Sequence, residues 1–331
     1  MAVERIFNTY MGLRTAESVS PKHPDKICDQ ISDSIVDAAL FGDPDSRVAV
    51  ETVGGHKLLV IIGEVTSKTK INYEKIARQF VDTSYEVRVQ VVHQSNEIAN
   101  GVDTGGAGDQ GIMVGYATSE TKNYMPLEVE LSRSLNRHLY NKFPYDGKTQ
   151  VTLNNREIVA IVASFQHATK NELEVLIKDW LSDQAHQKSV NIFANPAGDW
   201  LVGGFDADTG LTGRKLAVDS YGPRIPIGGG AFSGKDATKV DRSAAYMARK
   251  IAVDYLNKRH AKEVYTQLAY AIGVAEPVEA IAIVDGVEEK VKGYDLTPGG
   301  IISFLQLNKP QFKQTAEYGH FGNNFLWDNI T

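Results

Sequence analysis

Three consecutive glycines, Gly228, Gly229 and Gly230, open a loop that continues Ala231-Phe232-Ser233-Gly234-Lys235-Asp236-Ala237-Thr238-Lys239-Val240-Asp241 into an amphipathic, helix-like stretch. Glycines offer no side chain to pack. A triplet of them marks backbone that must adopt dihedrals or close approaches other residues forbid. Two cations, Lys235 and Lys239, and a carboxylate, Asp241, follow at once. A glycine-rich loop that delivers cations to a helix start is suited to holding phosphate. It is not a Walker loop, because Asp236 stands where a Ser or Thr would meet magnesium. On pattern alone, the competing reading is a mobile loop beside a solvated helix start.

At 331 residues the chain exceeds one ordinary core, so two or three domains are expected. A hydrophobic content of 42% and a charged content of 23% are those of a soluble globular protein. The net charge of −6 speaks against a nucleic-acid partner, which needs a basic footprint. Cys28 is the only cysteine, so no intrachain disulfide forms and a reducing compartment is expected. Residues Met1 to Thr15 lack the apolar core of a signal peptide. The densest apolar run, Leu58 to Ile62, is too short to span a bilayer. The expectation is a cytoplasmic protein with no membrane partner.

The first region opens with Glu17-Ser18-Val19-Ser20-Pro21-Lys22-His23-Pro24-Asp25-Lys26, kept extended by its two prolines. From Asp25 a helix is expected, with Ile27, Ile31, Ile35 and Ala38 on one stripe. Asp25, Asp29, Asp33 and Asp37 recur four apart and share another face. Solvent is the expected environment of the last three. Asp25 is set apart, since a negative charge is favoured at the helix start beside His23 and Lys26. Strands are expected at Arg47–Val53 and Lys57–Thr66, turning at Gly54-Gly55 and carrying the carboxylates Glu51 and Glu64. A helix near Tyr73–Thr83 and a strand near Val87–Val92 complete the unit, with Gln94 at its end.

A second glycine cluster, Gly101 to Gly111, reads as a flexible linker, and its acids Asp103 and Asp109 argue against a phosphate cradle unless a cation intervenes. Beyond it a strand at Gly111–Tyr116, a helix near Pro126–Asn141 and a hairpin of Thr149–Leu153 with Glu157–Ser164 are expected. That hairpin turns at Asn154-Asn155, with Lys148 just before it, and a helix at Lys170–Asp183 follows. In the third region Trp200–Gly203 and Leu216–Ser220 read as strands around a polar turn. After the glycine loop come a helix at Asp241–Arg259, strands at Val264–Val274 and Val278–Val284, and a helix opening at Thr297-Pro298.

The cations Lys26, Lys148, Arg214, Lys215, Lys235 and Lys239, with His23, lie in or near glycine-rich turns, as do the acids Asp25, Asp109, Asp208 and Asp241. Taken singly, each is an ordinary surface charge. Together they suit a polyphosphate with magnesium, the acids holding metal and the cations neutralising oxygens. No Cys/His set fits zinc, no nucleophile elbow is present, and no G-x-G-x-x-G opens a βαβ unit for NAD.

Several blocks resemble the signatures of the S-adenosylmethionine synthetase (methionine adenosyltransferase) family. They are His23-Pro24-Asp25-Lys26, Gly106-Ala107-Gly108-Asp109-Gln110-Gly111, Gly210-Leu211-Thr212-Gly213-Arg214-Lys215 and the loop from Gly228. Tyr270-Ala271-Ile272-Gly273-Val274-Ala275-Glu276-Pro277 and Tyr318-Gly319-His320-Phe321-Gly322 also match. The blocks come in the family's order and cover nearly the whole chain. The resemblance implies an α+β fold of three similar domains in pseudo-threefold arrangement, with interleaved chain segments. It places an N-terminal domain at 1–100, a gate loop at 101–110, a central domain at 111–199 and a C-terminal domain at 200–331. It implies a homodimer with shared sites, often paired into tetramers, that makes S-adenosylmethionine, pyrophosphate and phosphate from ATP, methionine and water with two Mg²⁺ and K⁺. By the same resemblance His23 lies at the triphosphate near C5′, and Asp25 and Asp241 hold magnesium. Lys148, Arg214, Lys215 and Lys235 bind phosphate, while Asp146, Asp199, Trp200, Asp208 and Ala231 belong to the nucleotide pocket. Glu64, Gln94, Asp109, Asp208 and Lys239 form the methionine pocket, and Glu51 is the potassium ligand. Lys148, Arg214, Lys235 and Lys239 join His23 as catalytic residues.

The chain departs from the family's pattern in four places. Trp200 stands where Phe stacks on adenine, Lys22 replaces Gly before the His-Pro-Asp-Lys block, Ile227 replaces His before the glycines, and the gate loop is short. Two other readings use the same residues, a magnesium-dependent nucleotide or polyphosphate hydrolase and a non-catalytic nucleotide sensor. His23, Lys235 and Lys239 together argue against the sensor.

Overall fold

The computed structural model describes residues 12–94, 105–184 and 189–330. Of the expected gate loop at 101–110, residues 101–104 lie outside them, as do residues 95–100 before it. The first part of the chain forms β1 (Leu13–Val19), α1 (Pro24–Gly42), β2 (Arg47–Gly55), β3 (Leu58–Thr66), the short α2 (Tyr73–Ala77) and β4 (Glu86–Val92). There follow β5 (Gly111–Thr118), α3 (Leu127–Lys142), β6 (Gly147–Asn154), β7 (Glu157–Phe165), α4 (Lys170–Ser182) and β8 (Asn191–Ala194). The last part forms β9 (Gly210–Leu211), α5 (Leu216–Asp219), α6 (Val240–Arg259), β10 (Glu263–Tyr270), β11 (Glu279–Val284) and β12 (Val287–Lys290). It closes with α7 (Pro298–Leu305) and α8 (Thr315–Tyr318).

These strands make three four-stranded sheets, in the orders β4-β3-β2-β9, β1-β6-β7-β8 and β12-β11-β10-β5. The fold is α+β, and a helix precedes a hairpin three times: α1 before β2–β3, α3 before β6–β7, α6 before β10–β11. Each helix packs on its own sheet. In the first two units the fourth strand returns parallel, β4 beside β3 and β8 beside β7, whereas the third sheet is antiparallel throughout. Each sheet also borrows an antiparallel edge strand from elsewhere in the chain: β9 beside β2, β1 beside β6, β5 beside β10. The first and third units share one apolar core, and the central unit has its own around Leu135, Val151, Ile161 and Ile177.

Helix α1 shows why these residues form this element. His23 is its N-cap, Pro24 opens it with a preset φ, and Asp25 supplies the first-turn charge. Ile27, Ile31 and Ile35 are buried as the spacing requires. The acidic row is where expectation fails. Asp29 and Asp33 are fully buried. Asp29 accepts Lys26 Nζ at 2.9 Å and the Gly213 N–H at 2.8 Å. Asp33 accepts Arg242 at 2.7 Å and the Gly234 N–H at 2.8 Å. Asp37 accepts the N–H groups of Gln311, Phe312 and Lys313 at 2.8–2.9 Å. The periodicity correctly places these acids on one face, but three remote segments cover that face.

Other corrections are local. The first hairpin turns at His56-Lys57, both at positive φ, while Gly54 and Gly55 belong to β2, where a Cβ on Gly54 would meet Leu59 and Phe205 at 2.7 Å. Asn155, at φ 57, opens the second hairpin's turn after a strand that includes Asn154. Leu216–Asp219 is a helical turn, and Trp200–Gly203 forms no strand. β10 stops at Tyr270, and α2 is shorter than its apolar pattern implied. β1 has no strand signal of its own and is made a strand by pairing with β6 along its whole length.

The Arg242–Asp33 pair has both side chains fully buried. Removing one partner leaves the other charge unpaired, so Arg242→Met should lower the unfolding free energy by about 3–5 kcal/mol in urea titration. A loss below about 1 kcal/mol would show that Asp33 needs no partner.

Candidate active site

The start of α1 meets the Gly210–Lys215 turn. Asp25 Oδ1 accepts the Leu211 N–H at 2.9 Å, and Oδ2 accepts Lys215 Nζ at 2.5 Å. Arg214 Nε lies 3.3 Å from the same carboxylate. Burial works against the charge of Asp25, but Lys215 and the Leu211 N–H prevail and hold its pKa below the ordinary value. His23 Nδ1 accepts the Asp25 N–H at 3.2 Å, so the neutral ring carries its proton on Nε2. Burial first, then the charge of Lys215, lowers the imidazole to about 4, with Lys148 adding to the effect and Asp25 and Asp208 opposing it. At neutral pH His23 is therefore an uncharged donor among cations.

Asp146 closes another side. Its Oδ2 accepts the Gly204 N–H at 3.0 Å, and burial pushes the carboxyl up to about 6. This bond brings the 200–204 segment, with half-buried Trp200, towards the chain at Lys22–His23. Asp199 is exposed and accepts the Lys170 N–H at 2.9 Å, holding the start of α4. Lys148 is exposed and lies 3.5 Å from Glu17.

The glycine loop lies against β2. Val50 N–H donates to Gly234 O and Asp236 N–H to Val48 O, both at 3.0 Å, and Lys235 bridges to Ala49. The glycines are required where backbone and carboxylates press close. A Cβ on Gly230 would lie 2.1 Å from Asp241 Oδ1, and one on Gly234, at φ +83, would lie 1.9 Å from Val50 O. Lys235 Nζ pairs with Asp241 at 2.6 Å, and Lys239 Nζ with Asp236 at 2.6 Å. Ala231 touches the other half of the site, since a Cβ on Gly213 would meet the Ala231 Cβ at 2.6 Å.

The outward face of the first sheet carries Glu51 and Glu64, while Gln94, Asp109 and Asp208 lie in segments outside its strands. Glu64 pairs across from Ala49, which bridges to Lys235, so these three point to one side. Glu51, two residues on from Ala49, shares that face and is exposed. Gln94 follows β4, with a buried Oε1 that has no partner. Asp109 accepts the Gln110 N–H at 2.7 Å, and Asp208 accepts the Thr209 N–H at 2.7 Å. Among the described residues, no group of three or more His, Cys, Asp or Glu side chains is placed to hold a metal.

Lys26 does not join the cation cluster. It is fully buried between Asp29 at 2.9 Å and Asp219 at 2.6 Å. Asp236 is the reverse case. The sequence marked it only as a departure from a Walker loop, yet it clamps Lys239 and accepts the Val48 N–H at 2.6 Å. Both residues lie in the loop before α6, where helical spacing does not apply, so the sequence held no signal for this pairing. Arg242 was also missed. It donates to Lys235 O at 2.7 Å and to Tyr246, whose hydroxyl reaches His320 Nδ1 at 2.7 Å.

Three family models match the chain in succession. They are described as S-adenosylmethionine synthetase N-terminal domain over residues 11–104, central domain over 104–200 and C-terminal domain over 202–329. The chain belongs to the S-adenosylmethionine synthetase family. It is 41% identical to the S-adenosylmethionine synthase of Mesoplasma florum and 41% identical to that of Clostridium botulinum, each alignment covering 96% of this chain and 97% of the relative. It is 40% identical to that of Brachyspira hyodysenteriae, over 95% of each. The alignments, 368 to 378 residues long, exceed the chain's 331, so these relatives carry segments that it lacks. The borrowed strands cross the matched domains in a cycle. The N-terminal domain lends β1 to the central sheet, the central domain lends β5 to the C-terminal sheet, and the C-terminal domain lends β9 to the first. Among the described residues, no helix is long and apolar enough to cross a membrane.

The native His23 takes its proton near 4 and an unfolded histidine near 6.5. The group therefore contributes no loss of stability above 6.5 and withdraws stability as pH falls from 6.5 towards 4. Asp146, raised from 3.8 to about 6, acts in the opposite sense over an overlapping window, so the test should read the residue itself. Histidine ¹⁵N spectra should show His23 neutral, with its proton on Nε2, down to pH 5. A midpoint near 6.5 would refute this description of the site.

Proposed function

We propose that this chain is a methionine adenosyltransferase that joins the adenosyl group of ATP to methionine sulfur and then hydrolyses the released tripolyphosphate to pyrophosphate and phosphate. One observation carries the reading: the His23–Asp25 helix start, the Arg214–Lys215 turn and the Lys235–Asp241 loop converge, in contact through Gly213 and Ala231.

The chemistry explains why such a site holds cations and acids but no nucleophile. A thioether sulfur has no proton to lose, so its attack on C5′ needs no general base. The C5′–O bond breaks as the S–C5′ bond forms, and the tripolyphosphate takes the electron pair. Catalysis is then alignment plus stabilisation of the leaving anion. Lys148, Arg214, Lys215 and Lys235 neutralise that chain, and neutral His23 donates its Nε2–H to the bridging oxygen. One such preorganised donor is worth about 3 kcal/mol. Lys239, fixed by Asp236, Glu64, Gln94, Asp109 and Asp208 are assigned to methionine, and Trp200 to stacking on adenine, where its large flat ring suits a purine.

Asp25 and Asp241 fit magnesium bound jointly with phosphate, since that ion takes one or two carboxylates alongside phosphate oxygens and waters. Each now holds a lysine that phosphate oxygens would attract instead. When bound, the metal supplies charge neutralisation at the phosphates. Glu51, an exposed single carboxylate, is assigned to a weakly held potassium ion. A homodimer with shared sites, paired further into a tetramer, and a cytoplasmic location complete the proposal. The outward face of the first sheet, with Ile62 49% exposed and Val92 52% exposed beside Glu51 and Glu64, is the surface a second copy would cover.

Purified protein given ATP, methionine, Mg²⁺ and K⁺ should yield the sulfonium product by mass spectrometry, with phosphate release dependent on methionine. Methionine-independent release would favour a hydrolase. His23→Asn should slow sulfonium formation about a hundredfold or more while sparing hydrolysis of added tripolyphosphate, and equal losses would reject the donor role. Protein held monomeric by dilution should lose turnover, and an active monomer would reject shared sites.

A further inference from the structure

Gln166 sits at the Trp200 end of the site and takes no part in the reaction described above. Its backbone N–H donates to Asp146 O at 2.9 Å, and the next N–H, of His167, donates to Trp200 O at 3.0 Å. These bonds fix the pair 166–167 between two segments of the nucleotide pocket. The His167 ring in turn stands edge-on to Tyr145, with centroids 4.5 Å apart.

The side-chain amide is oriented by its own bonds. Gln166 Nε2 donates to Leu201 O at 2.9 Å and lies 3.3 Å from His167 Nε2. A carbonyl oxygen can only accept, so the nitrogen must face Leu201, which puts the acceptor Oε1 on the opposite side of the amide. That oxygen lies near the edge of the indole. A Cβ built on Gly203 would meet Gln166 Oε1 at 2.6 Å and Trp200 Cζ3 at 2.6 Å, so amide oxygen and ring edge converge on one point that only glycine leaves open. A committed acceptor beside a flat ring distinguishes bases by what they carry at the edge.

We infer that Gln166 Oε1 accepts a hydrogen bond from the exocyclic amine of the purine stacked on Trp200, and so selects a 6-amino over a 6-oxo purine nucleotide. The inference rests on Trp200 being the stacking ring. A 6-oxo base would set its carbonyl against Oε1, two acceptors with no proton between them, and the amide cannot turn over without losing the Leu201 bond. Sites built to satisfy a substrate donor discriminate against analogues lacking it more strongly than apolar pockets do.

The test compares ATP, inosine triphosphate and purine riboside triphosphate, which has only hydrogen at C6, at saturating methionine. The unaltered enzyme should prefer ATP to the 6-hydrogen analogue by about tenfold in kcat/KM, the scale of one lost hydrogen bond, and should disfavour inosine triphosphate more. Equal use of ATP and the 6-hydrogen analogue would overturn the inference without any variant. Gln166→Leu should bring the three nucleotides to near-equal kcat/KM with kcat for ATP largely kept. If it lowers all three alike, Gln166 only holds Leu201 in place, and the inference fails. Trp200→Ala separates the two claims. An unchanged KM for ATP would refute the stacking assignment itself, whereas a KM raised for all three nucleotides supports stacking and leaves selectivity to be judged at Gln166.

Discussion

A ladder of carboxylates on one face of α1 organises the site. Asp25, Asp29 and Asp33 each accept a backbone N–H from a remote loop, those of Leu211, Gly213 and Gly234, at 2.8–2.9 Å. Asp37 accepts three more from residues 311–313. Hydrogen bonds to a charged acceptor are worth about 1.5–3 kcal/mol, more than neutral ones, and their geometry is directional. One rigid helix thus sets the Arg214–Lys215 turn, the glycine loop and the C-terminal segment at successive heights. The cations Arg214, Lys215 and Lys235 need no regular element of their own, because the helix fixes the backbone that carries them.

The exchange of edge strands complements the ladder. β9 leads directly into the Gly213–Lys215 turn, so its pairing with β2 aims that turn at the start of α1. The glycine loop meets the same edge of β2 further along, through Val48 and Val50. The two cationic loops therefore line one strand edge side by side, next to the helix that packs on it. The low proton affinity of His23 follows from this arrangement. An imidazole buried beside Lys215 and within reach of Lys148 stays neutral, so a hydrogen-bond donor remains where a cationic ring would add to the repulsion.

Much of this was legible in the residue order. The glycine triplet, the two lysines after it, the His-Pro-Asp-Lys helix start and the Gly-Leu-Thr-Gly-Arg-Lys turn named the main parts of the site. Their chemistry is local: glycine where a Cβ would strike Asp241 or Val50, proline at a helix opening, cations in turns. The buried partners were not legible. Asp29 and Asp33 share the spacing and chemistry of solvated acids, and Lys26 looks like its neighbours in the cation list, although it is locked between two aspartates. Nor could residues 216–220 be told from a strand, since a short apolar run fits either period.

The sequence by itself determined which glycine-rich turns carry cations, where the main helices begin and which faces they keep apolar, because capping, periodicity and backbone freedom act over a few residues. The tertiary structure alone decided which charges are spent inside the fold and which are left for a ligand. That depends on whether a distant segment covers a given carboxylate, and coverage is a property of strand exchange and packing between positions up to 276 residues apart.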